Sequence, residues 1–117
     1  MRFISKTFHA YLDYPVALAL IGLPVLLGLG PVAAMLSVAT GVAALILTAL
    51  TDHRTGLLRV LPFSLHLAVD GLVGALFVMA PVIFGFHGLD AAYVLTMGVA
   101  VLLVVASHRP ENALANA

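Results

Sequence analysis

The chain has 117 residues, 63% of them hydrophobic and 9% charged, with five basic residues balancing five acidic ones. Soluble domains carry roughly 45–50% apolar and about 25% charged residues, so an ordinary water-soluble domain is excluded and a lipid bilayer is the expected solvent. Neutral net charge without a basic stripe argues against nucleic acid as a partner, and the absence of cysteine excludes disulfides, thiolate metal sites and thiol catalysis.

Four continuous apolar segments follow one another, near Thr7–Gly28, Val32–Leu50, Phe63–Phe84 and Ala91–Ser107. Each approaches the roughly 20 helical residues that cross a ~30 Å hydrocarbon core. Their apolar character is unbroken rather than alternating, which excludes a β-barrel. The breaks are GLGP (28–31), the polar TDHRTG (51–56) and GFHGLD (85–90), where Asp90 is a candidate N-cap. The expectation is an all-α membrane protein of four transmembrane helices.

The first segment, with Arg2 and Lys6 ahead of it, has some features of a signal peptide. We read it as a span, because a matching segment recurs in mid-chain. At an offset of 57 positions, Arg2, His9, Asp13, Pro24 and Gly28 return as Arg59, His66, Asp70, Pro81 and Gly85. Matches of scarce residues in one register mark a tandem duplication, with repeats over 1–57 and 58–117. Each repeat holds two spans, so both enter the membrane in the same orientation, as parallel helical hairpins that together make one four-helix domain.

All five basic residues, Arg2, Lys6, Arg54, Arg59 and Arg109, fall in the N-terminal segment, the central loop or the tail. The positive-inside rule then puts both termini on the cytoplasmic side of the membrane. Ser37, Gly41, Ala44 and Thr48 form a small-residue stripe on the second helix, and Gly71, Gly74 and Ala75 do similar work on the third. Such residues let helices approach closely in lipid. Pro24 and Pro81 each free a carbonyl four residues back, on Leu20 and Phe77, and Gly28 and Gly85 supply left-handed stops.

The H-x3-D pattern, followed by an apolar run and Pro-x3-Gly, occurs twice: His9, Asp13, Pro24, Gly28 and then His66, Asp70, Pro81, Gly85, with the polar Thr51-Asp52 before the second unit. In this it resembles the SPW repeat family of small bacterial membrane proteins, along nearly the whole chain. The Ser-Pro-Trp that names the family reads Leu23-Pro24-Val25 and Ala80-Pro81-Val82 here. The resemblance implies a multi-pass membrane protein and no particular activity.

His9 with Asp13 and His66 with Asp70 are the residues with chemical potential, each pair one turn apart on one helix face. The leading reading is structural: each Asp near its helix N-terminus, satisfied by the dipole and by its His or a neighbouring hydroxyl, clamps the hairpins together. One alternative is a metal site from the two His and two Asp, or a haem held by His9 and His66. Another is proton or ion handling. His53, His87 and His108 fall in loops or the tail, and Leu57, Leu58, Val60 and Leu61 are candidates for lying along the membrane surface. No nucleophile elbow, P-loop, dinucleotide fingerprint or zincin motif occurs, so neither an enzyme nor a cofactor is expected. The expected function is that of a structural or interaction component, self-associating or joined to a larger membrane complex.

Overall fold

The structure, a computed structural model, describes residues 6–51, 58 and 60–107. Within them lie four α-helices: α1 (Lys6–Leu27), α2 (Pro31–Leu50), α3 (Phe63–Phe84) and α4 (Gly88–Ala106). Helices α2, α3 and α4 are long and apolar enough to cross a membrane, whereas the qualifying apolar stretch of α1, Tyr11–Leu27, is shorter. At most 22% of any of those three spans is buried inside the bundle. The outward side chains include Leu26, Leu72 and Val82, each more than two-thirds exposed. An apolar exterior of that extent is suited to acyl chains rather than to water.

Local chemistry sets the ends of the helices. Gly28 and Gly85 adopt φ of +65° and +70°, a left-handed stop that only glycine enters without strain. At the first stop, the Gly28 N–H donates to the Val25 carbonyl and the Leu29 N–H to the Pro24 carbonyl at 3.1 Å, satisfying two end carbonyls. Pro31 opens α2 at a position where a missing N–H is harmless. The N-cap of α4 is His87, not Asp90 as the sequence pattern indicated; Asp90 sits in the first turn. After α2 the chain turns back, and the Leu61 N–H donates to the Leu50 carbonyl at 2.8 Å. The start of α3 is thereby tied beside the end of α2.

Helix α1 packs mainly on α2, and α3 on α4; the two hairpins touch each other far less. Glycine makes each hairpin close. A Cβ on Gly41 would stand 2.9 Å from the Ala17 carbonyl oxygen and the Leu20 Cβ. A Cβ on Gly98 would stand 2.9 Å from the Gly74 carbonyl oxygen, the Phe77 Cβ and the Val78 amide nitrogen. Gly71 is a correction to the small-residue reading of α3, because nothing lies within 4 Å of where its Cβ would be. Ala75 is likewise exposed, so Gly74 alone of those three packs.

The buried core of Leu20, Phe77, Ala80, Tyr93 and Val94 lies toward the Gly28 and Gly85 turns. Nearer the end of α2 and the start of α3, Thr48, Thr51, Phe63 and His66 are buried. Gly98→Ala is therefore expected to push α4 off α3 and destabilise by about 1–3 kcal/mol. Gly71→Ala, in open space within a helix, is expected to stabilise by about 0.5–1 kcal/mol. Melting of the two variants in mild detergent checks the contrast; equal melting temperatures would overturn the packing assignment.

Candidate functional site

Among the described residues, three groups of polar contacts cross between helices. The largest is built by α3, which carries His66 and Asp70 one turn apart, and by α1, which brings Asp13 from the other hairpin. His66 Nε2 lies 3.2 Å from Asp13 Oδ2 and 3.2 Å from Asp70 Oδ2. The imidazole is only 2% exposed, and the two carboxylates 11% and 19%. Phe63, one turn earlier, stacks on the His66 ring at 5.9 Å between centroids. The side chain of His9 lies outside the described residues, as do His53, Arg54, Arg59 and His108; His87 is exposed.

Thr51, at the end of α2, fixes which nitrogen of His66 carries hydrogen. Its Oγ1 lies 2.5 Å from the Leu47 carbonyl and 2.8 Å from His66 Nδ1. A hydroxyl has one hydrogen, and the carbonyl can only accept. The hydroxyl therefore donates to Leu47 and accepts from Nδ1–H. That leaves Nε2 facing two carboxylate oxygens, an arrangement favourable only if Nε2 donates a proton to them or if a cation bridges all three groups.

Asp13 and Asp70 stand about two turns into their helices. Neither α1 nor α3 has an acidic residue in its first turn, and the helix dipole acts only over that turn. The dipole part of the structural reading is therefore corrected: these carboxylates are held by His66, not by a helix terminus.

The second tie begins at Pro24, which has no N–H to give the Leu20 carbonyl. The Ser37 hydroxyl of α2 supplies that hydrogen at 2.7 Å. With its hydrogen so used, Ser37 Oγ accepts from the Tyr93 hydroxyl of α4 at 2.6 Å. A proline on α1 is thereby connected through α2 to α4. The third tie lies at the loop end, where the Gly30 N–H donates to Asp90 Oδ1 at 3.0 Å. Asp90 thus serves the N-terminus of α2 rather than that of its own helix.

Sequence reasoning did not assign Tyr93 or Thr51 to the site. A phenol in mid-span was an available signal for Tyr93, since a buried hydroxyl in lipid needs a partner. Thr51 stood out only as part of the polar Thr51-Asp52 ahead of the second unit, and its contact with His66 depends on the chain folding back.

Between the hairpins is a cleft of about 750 Å³ lined by all four helices. Its walls are apolar, from residues such as Val16, Leu47, Val73 and Val104, and Asp13, His66, Asp70, Thr40 and Thr48 supply its polar groups. Ala39, Ala43 and Ala100 on its lining are exposed, so it opens sideways. No family model matches this chain, nor does any curated protein or solved structure.

The Pro24–Leu20–Ser37 link makes a prediction by double-mutant cycle. Ser37→Ala alone orphans a buried carbonyl and is expected to cost about 1–3 kcal/mol. Adding Pro24→Ala restores an N–H for that carbonyl, so the two changes should couple favourably by at least about 0.5 kcal/mol. Strict additivity in detergent melting would sink the link.

Proposed function

We propose that this chain is a small multi-pass protein of the bacterial inner membrane that acts as a structural or interaction component, assembling with itself or with a larger membrane complex. The observation that carries the reading is the Asp13–His66–Asp70 tie. It joins the two hairpins across α1 and α3, beside the cleft. Polar contacts of this kind specify helix association in lipid, where apolar surface drives none. The polypeptide that joins the helices is short, so a partner is recognised chiefly through the apolar spans.

Tandem duplication is supported by the way equivalent positions are used. Gly41 packs on Ala17, Leu20 and Ile21, and Gly98 on Gly74, Phe77 and Val78, which are the same three positions shifted by 57. The core draws on further equivalents at that offset: Val16 with Val73, Leu23 with Ala80, Leu29 with Phe86 and Leu36 with Tyr93. We read two parallel repeats with both termini cytoplasmic, on the strength of the basic residues at 2, 6, 54, 59 and 109.

A second reading, handling of protons or a small ligand, is favoured by the cleft that reaches the trio. Haem ligation by His66 is disfavoured, because both ring nitrogens are engaged and the imidazole would have to leave the cluster. We assign no enzymatic activity.

The clamp is tested in chelator, so that bound ions play no part. Asp13→Asn and Asp70→Asn are each expected to lower stability by about 1–2 kcal/mol, read as melting in mild detergent; unchanged melting in both would sink it. For the second reading, a pH-dependent signal from reconstituted vesicles must vanish in the same variants. Orientation is checked separately, in a chain with no native cysteine. A cysteine introduced at His87 is expected to react with an impermeant maleimide from the periplasmic face only. Labelling from the cytoplasm would invert the topology.

A further inference from the structure

The geometry points to a binding site for one divalent first-row transition ion, held by Asp13, His66 and Asp70 with its open coordination positions facing the cleft. One ligand atom from each of the three residues lies within 4.8 Å of the others. The two distances from His66 Nε2, both 3.2 Å, carry most of the argument. Ligands about 2.05 Å from a common ion are separated by about 3.4 Å in a tetrahedron and by about 2.9 Å at an octahedral right angle. The two spacings from Nε2 fall between those limits, and the two carboxylate oxygens lie within 4.8 Å of each other. Bringing the second carboxylate oxygen to the same point takes a rotation about the soft terminal torsion of an aspartate, not a shift of backbone.

Thr51 supplies the outer support that metal-binding histidines need. By accepting from Nδ1–H, with its own hydrogen held by Leu47, it fixes the tautomer that leaves the Nε2 lone pair pointing at the carboxylates. This arrangement goes beyond a cluster of acids, because the nitrogen donor is oriented from behind and two helical hairpins contribute ligands. The donor set selects the ion. One imidazole and two carboxylates suit zinc, cobalt, manganese or ferrous iron, whereas calcium takes six or more oxygens. A divalent ion on two carboxylates and a neutral imidazole also brings the trio itself to zero charge, the cheapest state in a low-dielectric surrounding. Three protein ligands leave a coordination position for water or a small ligand, and the apolar cleft gives that position a route sideways.

The inference goes beyond the clamp, which is measured in chelator and stands or falls separately. The test uses the full, untagged chain in mild detergent, stripped with EDTA and titrated with cobalt(II), with circular dichroism to certify the fold. Wild type is expected to bind one cobalt per chain, to show the intense visible bands of a low-symmetry site, and to release the cobalt to zinc. Asp70→Asn and Asp13→Asn should each weaken binding at least tenfold. Thr51→Val keeps all three ligands and should weaken it by about 10–100-fold while retaining the bands. A folded wild type that takes up no cobalt at micromolar ion overturns the site. So does binding that is unchanged in folded Asp70→Asn and Thr51→Val.

Discussion

A carboxylate carried into lipid must find its countercharge inside the protein, and in this chain two carboxylates find the same one. Asp13 and Asp70 both reach His66 Nε2, and His66 is in turn held by Thr51. No water is available in the bilayer core to substitute for a missing partner. The cluster therefore constrains more than its own residues. It sets how far α1 stands from α3, and it requires the chain after α2 to fold back far enough to bring Thr51 to the imidazole.

Two kinds of interaction divide the work of the fold. Glycines at 41, 74 and 98 let helices within each hairpin approach until backbone meets side chain. Those contacts are numerous, apolar and tolerant of small slides. Between hairpins, the ties among the described residues include directional ones: Asp13 to His66, Thr51 to His66, Tyr93 to Ser37, and Gly30 to Asp90. Each has one acceptor at one height, so together they fix the register of one hairpin against the other. Directional ties are what lipid leaves available, since apolar burial gains little when the alternative surrounding is equally apolar.

Much of this was legible in the sequence for simple physical reasons. Twenty-residue apolar runs bounded by Gly and Pro mark helices wherever they occur, and the glycine stops at 28 and 85 follow from the need for positive φ. The one-turn spacing of His66 and Asp70 put them on one face without any tertiary information. What sequence could not fix was which outside group meets that face. The approach of Asp13 depends on the rotation and tilt of α1, which packing decides. Asp90 looked like the cap of its own helix because local spacing is blind to the loop of the other hairpin. Gly71 looked like Gly74 because composition does not record which face of α3 turns inward.

The distribution of packing along the bundle gives the trio its position of influence. Toward the Gly28 and Gly85 turns, Leu20, Phe77, Ala80, Tyr93 and Val94 fill the space between the helices. Toward the other end the same helices line a cleft, beside which Thr48, Thr51, Phe63 and His66 are buried. A well-packed half resists separation because every displacement loses many contacts at once. Beside the cleft the contacts are polar and directional, with Asp13 and Asp70 meeting at His66 Nε2 and Thr51 on Nδ1. Whatever occupies the point between Asp13, His66 and Asp70, proton or ion, therefore acts where α1 and α3 are joined. Its charge and size are transmitted to the relative position of the two hairpins rather than absorbed by the core.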